Sequence, residues 1–330
     1  MYGDCHSGTP LSFELDYTTH GVAPSSHPML SLGWVDGTRS SFIERAVATA
    51  KHSDVTVVYA NDFETENFDR TSLLLPGDQN ELIQAVAKAN PNTVVVLNTG
   101  GPVLMPWLGE VKSVVEAWYP GQDDGNAIAA ILFGDVDPSG HLPVTFPQSS
   151  EQMPTSTKEQ YPGVDNQVSY SEGLDVGYRW YDSRNVKPLF PFGYGLSYTT
   201  FKYSNLKINT SKFSLGQVFV TVDVTNTGKR VGAAVPQLYI GDPQDASEPP
   251  RQLKGYEKIL LNPGETKAVS FQLNARAFSI WNVKSNNWTV VYGTYTLMIG
   301  SSSENIALAG KVGITSGFKS NAALEWNPLN

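Results

Sequence analysis

The chain has 330 residues, including 29 Gly, 21 Pro and one Cys. At roughly 150 residues per domain that length accommodates about two domains, each able to bury its own core. Lysine and arginine number 23 against 32 aspartates and glutamates, a net charge of −9, which leaves no basic face to displace counterions from a phosphate backbone and excludes nucleic acid as a partner. No apolar run approaches the length of about 18 residues that a membrane span needs.

In chain order, residues 1–34 read as an irregular N-terminal segment, with a solitary Cys5 that closes no internal disulfide and with no charged n-region or apolar h-region of a signal peptide. From residue 35 to 150 strand-like and helix-like stretches alternate. Ser41 to Glu44 has the form of a capping box, followed by Ile43, Ala46, Val47 and Ala50 along one helical stripe. Asp54 to Ala60 is expected as a buried strand. A second helix is expected after Pro76, carrying Leu82, Val86 and Ala89 and ending at Asn90-Pro91. Thr93 to Leu97 is the next strand, Val103 to Leu108 a short helix, Ser113 to Trp118 a third strand, and Asn126 to Phe133 a third helix closed by Gly134. Continuous β-branched runs separated by helices imply an α/β layered domain with a mostly parallel sheet covered on both faces.

Residues 151–198 have no sustained periodicity and are rich in Gly, Pro, Tyr and Asp, as in a long connection crossing a domain boundary or the mouth of a site. From residue 199 to 317 the pattern turns to short alternating strands, among them Val218 to Val224, Val235 to Ile240, Lys267 to Leu273, Trp288 to Val291 and Tyr295 to Ile299. With turn signals between them and no helical stretch, they predict an antiparallel β-sandwich. Residues 318–330 form a tail. Asn209 and Asn287 head N-x-S/T triplets, usable for N-glycosylation only in a secretory compartment.

In open α/β sheets ligands bind outside the carboxyl ends of the strands. The loop after Ala60 therefore draws attention: Asp62, Glu64, Glu66 and Asp69 crowd beside Arg70, with Phe63 and Phe68 interleaved. Like charges held close raise a carboxyl pKa toward the range of a general acid, and the aromatic rings can face a sugar; a merely solvated acidic loop fits the same composition. His6, His20, His27, His52 and His141 lack the spacing of metal ligands, and the Asn98 to Pro102 turn lacks a phosphate-binding fingerprint. No metal and no cofactor is expected. Tyr178, Trp180, Tyr181, Phe190, Phe192, Tyr194 and Tyr198 fit either a carbohydrate cleft or interdomain packing.

Several strings, in order, resemble the β-glucosidases of glycoside hydrolase family 3. ETENFDR at residues 64–70 resembles the family's T-E-G-x-D-R segment, and NPNTVVVLNTGGPVLMPW and GDVDPSGHLPVTFP resemble its α/β sandwich domain. EGLDVGYRWYD and PLFPFGYGLSYTTF resemble its interdomain connection; VTNTGKRVGAAVPQLYIGDP and PPRQLKGYEKILLNPGET resemble its fibronectin type III-like domain. The resemblance places Glu66 on the acid/base position, with Glu64 as its rival, and Glu64, Phe68, Asp69 and Arg70 as substrate-binding or loop-shaping residues. Asn67 stands where the family usually has Gly, and Asn tolerates the left-handed conformation such a position requires. His141 stands in place of a common Arg.

The resemblance implies an αβα domain lacking its first strand, followed by a fibronectin type III-like sandwich, and a retaining β-glucosidase acting on cellobiose and other β-glucosides. Its nucleophile aspartate belongs to an N-terminal (β/α)8 barrel with no counterpart in this chain, so the chain corresponds to a C-terminal portion, inactive alone. A non-catalytic carbohydrate-binding or scaffold module and a β-xylosidase of the same family are the alternatives. An extracellular, cellulose-degrading parent protein is the expected setting.

Overall fold

The computed structural model describes residues 39–316 except 68, 212, 214 and 215. The expectations for residues 1–34, with Cys5 and three of the histidines, for Phe68 and for the 318–330 tail lie outside the described residues.

The first body is built from α1 (Arg39–Lys51), β1 (Thr56–Asn61), α2 (Gln79–Ala89), β2 (Thr93–Asn98), β3 (Ser113–Glu116) and α3 (Asp124–Phe133). The strands form a parallel sheet in the order β1-β2-β3, Val58 pairing with Val95 and Val95 with Val114. Ala50, Val58, Ala60, Ile83, Val86, Val95 and Leu97 close one core between this sheet and the helices. Helix α1 includes Ser41, so this serine lies inside the helix and is not its cap. Gly134 ends α3 in a left-handed cap at φ 77°.

Three expectations change. β1 is half-buried, not buried: Val57 and Tyr59 stay exposed, because β1 is a sheet edge and α3 buries no residue of its own. Residues 103–107 are not helical. Pro102 and Pro106 remove backbone donors, and the segment packs into the first core with Val103, Met105 and Trp107 buried, followed by a single tight turn at Leu108–Glu110. Trp107 donates its indole N–H to Asn80 Oδ1 at 2.8 Å, tying that segment to α2. The third strand stops at Glu116, because Trp118 adopts φ 56°.

The connection contains one short α-helix, α4 (Tyr178–Arg184). Beyond it lie β4 (Phe201–Asn209), β5 (Val218–Asn226), β6 (Gly232–Ala234), β7 (Gln237–Gly241), β8 (Gln252–Tyr256), β9 (Ile259–Leu261), β10 (Thr266–Leu273), β11 (Ser279–Asn282), β12 (Asn287–Val290), β13 (Gly293–Gly300) and β14 (Ile306–Ile314). Antiparallel sheets β10-β5-β4 and β14-β13-β7-β8 make the sandwich, with β6-β9 and β11-β12 as small pairs. Its core is the inward half of each alternation: Val218, Val220, Val222 and Val224 from β5, Val269, Phe271 and Leu273 from β10, and Tyr295, Leu297 and Ile299 from β13.

The aromatic cluster joins the two bodies. Tyr178 stacks on Phe192 at 4.7 Å and meets Tyr239 of β7 edge-on at 6.1 Å, while Leu253 N–H donates to its hydroxyl at 2.8 Å. Phe190 meets Phe146 of the first core edge-on. Trp180 and Tyr181 are buried, and Tyr198 donates to Ile131 O at 2.7 Å beneath the Arg230 guanidinium. Packing between the two bodies is thus one use that these rings serve.

Candidate active site

Parallel pairing brings the ends of β1, β2 and β3 side by side, so Asp62, the Thr99–Gly101 turn and the Glu116–Tyr119 turn meet at one edge. Gln79, at the start of α2, fixes where the first loop leaves the sheet. Asn61 N–H donates to Gln79 Oε1 and Gln79 Nε2 donates back to Asn61 O, each at 2.7 Å.

Asp62 is the anchor. Its Oδ1 accepts from Gly100 N–H at 3.1 Å and from the Tyr119 hydroxyl at 2.5 Å, its Oδ2 accepts from Arg70 Nη1 at 3.0 Å, and its side chain is only 2% exposed. Arg70 also donates to Pro102 O at 2.6 Å. Glu64 Oε1 lies 3.0 Å from Arg70 Nη1 but off the N–H direction, so the contact is an ion pair without a hydrogen bond. Burial raises the Glu64 carboxyl above its usual pKa, as do hydrogen bonding to Asp62 and the Asp62 charge, against the pull of Arg70. The carboxylate crowding foreseen in the sequence thus acts on Glu64, which is paired to Arg70, and not on Glu66.

Glu66 is placed differently. It is exposed on the turn of the loop and, among the described residues, engages no hydrogen bond or ion pair. Asn67 has φ 72°, the left-handed geometry expected at the position usually held by Gly. Asp69 leaves the cluster and accepts from Tyr161 Oη of the connection at 2.5 Å. Phe63 is 82% exposed beside the anchor. The loop therefore has a fixed base, formed by Asp62, Glu64 and Arg70, and an open tip bearing Glu66.

Three parts of the site were missed in the sequence. Tyr119 donates to Asp62, and Glu64 N–H donates to Tyr119 Oη at 3.1 Å; burial foremost, then Asp62, push its phenol up to about 12. Glu116 accepts from Trp118 N–H at 2.9 Å, with Thr99 Oγ1 3.2 and 3.3 Å from its two oxygens. Burial pushes its carboxyl up to about 7, with Asp62 adding to the rise and the donors holding it back. Gly100 and Gly101 are there for closeness. A Cβ on Gly100 would lie 2.8 Å from Tyr119 Cε2 and 2.9 Å from Glu64 Oε2, and one on Gly101 3.2 Å from Glu64 Oε1. Applying the strand-end rule to all three strands, and not to β1 alone, marks every one of these residues. No group of three or more His, Cys, Asp or Glu among the described residues is arranged to hold a metal ion.

Comparison with known proteins agrees with this architecture. Residues 9–198 match the glycosyl hydrolase family 3 C-terminal domain and residues 234–303 a fibronectin type III-like domain. The chain is 45% identical over 289 residues to thermostable beta-glucosidase B of Acetivibrio thermocellus, covering 86% of this chain and 38% of that protein. It resembles the crystal structure of DesR, a beta-glucosidase from Streptomyces venezuelae in complex with D-glucose, at 46% identity and TM-score 0.81, over 84% of this chain and 36% of that one. The Kluyveromyces marxianus beta-glucosidase in complex with glucose matches at 37% identity and TM-score 0.79, over 85% of this chain and 34% of that one. The chain thus spans little more than a third of the length of these relatives.

Proposed function

The chain belongs to glycosyl hydrolase family 3, and from that premise we propose that it forms the acid/base side of a retaining β-glucosidase, with Glu66 as the catalytic acid/base. The observation that carries the choice of Glu66 over Glu64 is their difference in freedom. Glu64 is paired to Arg70 and packed over Gly100 and Gly101, whereas Glu66 is exposed and free of such partners among the described residues. A group that must meet a glycosidic oxygen and later a water needs that freedom.

In the proposed reaction the nucleophile is an aspartate of a barrel domain outside this chain. It attacks the anomeric carbon as the bond to the leaving oxygen breaks, and the Glu66 carboxyl gives that oxygen its proton. The resulting Glu66 carboxylate then takes a proton from water, which displaces the enzyme carboxylate from the sugar and restores both groups. Asp62, Glu64 and Arg70 hold the loop base, and Phe63, exposed beside them, offers a ring to the sugar or aglycone. The setting we propose is extracellular, on cellobiose and other β-glucosides released in cellulose degradation; Asn209 and Asn287 are both exposed, as glycan acceptors must be.

The test is turnover of 4-nitrophenyl β-D-glucoside followed by NMR of the sugar product. The barrel-bearing protein should release β-D-glucose first, whereas the 330-residue chain alone should show no enzymatic turnover. Initial release of the α anomer, or robust turnover by the chain alone that vanishes in Glu66→Gln, would overturn the proposal.

A further inference from the structure

One half-buried carboxyl at the site has no part in the proposed chemistry. Glu116 ends β3, and its oxygens point back into the turn that follows, where they accept from Trp118 N–H and lie within reach of Thr99 Oγ1. Trp118 is in the left-handed region at φ 56°, an uncommon place for a bulky side chain, and one that persists only where its surroundings impose it. Two contacts impose it here: the Glu116 carboxylate on its N–H and the edge of Phe146 at 6.2 Å from its ring. This turn carries Tyr119 to the acidic loop, where its hydroxyl donates to Asp62 and accepts from Glu64 N–H.

We propose that Glu116 is a positioning residue for the acid/base loop, acting through Trp118 and Tyr119, and that its protonation state sets how firmly the loop base is held. This inference rests on the proposed role of Glu66 for its catalytic consequence, but not for the coupling itself.

The coupling follows from counting hydrogens. Thr99 has one hydroxyl proton and two candidate acceptors, Gly101 O at 3.0 Å and the Glu116 carboxylate. With Glu116 ionised, both its oxygens are acceptors and the Thr99 proton is drawn to them, leaving Gly101 O without that donor. With Glu116 protonated, its O–H donates to Thr99 Oγ1 and Thr99 donates on to Gly101 O, so the segment beneath Glu64 is tied down. The charged group acting directly on Glu116 is Asp62; Arg70 and Glu64 stand beyond it, over Gly101, and the Tyr119 phenol follows in the chain. Burial and the Asp62 charge place the switch near neutrality, at about 7.

The experiment uses the chain labelled with 5-fluorotryptophan, the Trp118 resonance being the one missing from Trp118→Phe. Between pH 5 and 9 that resonance should shift with a midpoint near 7, and in Glu116→Gln, a fixed mimic of the neutral acid, it should stay flat. No titration in the unsubstituted chain, or the same titration in Glu116→Gln, overturns the inference. In the barrel-bearing protein, Glu116→Ala should lower kcat on 4-nitrophenyl β-D-glucoside about tenfold or more with KM nearly unchanged, as loss of a positioning contact does. Glu116→Gln, which still accepts from Trp118 N–H, should recover most of kcat. Equal kcat in all three proteins overturns the positioning role. If the unsubstituted protein has no glucosidase activity, the proposed function fails and the fluorine titration still decides the coupling.

Discussion

Replacing Arg70 by Leu removes the cation from between two carboxylates. In the structure its guanidinium stands 3.0 Å from both Asp62 and Glu64 and donates to Pro102 O, with side-chain exposures of 19%, 2% and 28% for Arg70, Asp62 and Glu64. Breaking a fully buried pair from one side costs about 3–5 kcal/mol. Partial exposure of Glu64 lowers that figure, and the orphaned Pro102 carbonyl adds about 1 kcal/mol, so a loss of about 3–4 kcal/mol is expected at pH 8. The loss should shrink in acid. Glu64 already has a raised pKa, and without Arg70 it rises further above the unfolded value; its favourable contribution is then full below the unfolded pKa and disappears as pH rises through the folded one. As pH falls, Glu64 takes up a proton more readily than it does in the unfolded chain, and the loss should be smaller than at pH 8. Hydrogen exchange of the Val95 to Leu97 amides in β2 reads this body separately from the sandwich. A loss below about 1 kcal/mol, or one equal at pH 5 and pH 8, would refute the picture of Arg70 as the cation that makes the loop base stable.

Three further outcomes are expected. Gly100→Ala puts a methyl group against Tyr119 and Glu64, and should cost about 1–3 kcal/mol by overpacking while abolishing the Tyr119 to Asp62 hydrogen bond, read from the tyrosine's ultraviolet titration falling below about 12. Holding the Glu116 carboxyl at about 7 and not 4.5 makes stability full below the unfolded pKa and reduces it by up to about 3 kcal/mol as pH rises past the folded one; urea unfolding of Glu116→Gln should lack that component. Residues 199–317 expressed alone should unfold cooperatively in urea, since Val218 to Val224, Phe271 and Tyr295 to Ile299 form a core separate from that of the first body; a non-cooperative transition would contradict a boundary near Thr199.

How far the sequence carried depended on whether structure was encoded locally. The β-branched runs at residues 56–61 and 93–98 and the alternation at 218–224 declared their strands, because side-chain period and burial go together there. The segment at 103–107 misled, since its alternating burial in the core depends on α2 and Asn80, which no local window contains. The edge character of β1, with Val57 and Tyr59 open, is likewise a property of sheet order and not of composition. At the site, the acidic loop was visible as a run of charges, but its division into a fixed Glu64 and a free Glu66 required Arg70, Gly100 and Gly101 to be brought together across the sheet. Glu116 read as an interior position of a strand, and Tyr119 drew no notice, until β3 was set beside β2.

The division between the two glutamates is tested most directly by comparing Glu66→Ala and Glu64→Ala in the barrel-bearing protein on methyl and 2,4-dinitrophenyl β-D-glucosides, with and without azide. An acid/base residue matters for poor leaving groups and little for activated ones, and azide replaces the general base in the second step. Glu66→Ala should lose nearly all activity on the methyl glucoside, retain much of it on the dinitrophenyl glucoside, and be accelerated by azide with formation of β-glucosyl azide. Glu64→Ala should lower both substrates in proportion and be indifferent to azide. Azide rescue in Glu64→Ala alone, or equal losses on both substrates in Glu66→Ala, would contradict the account.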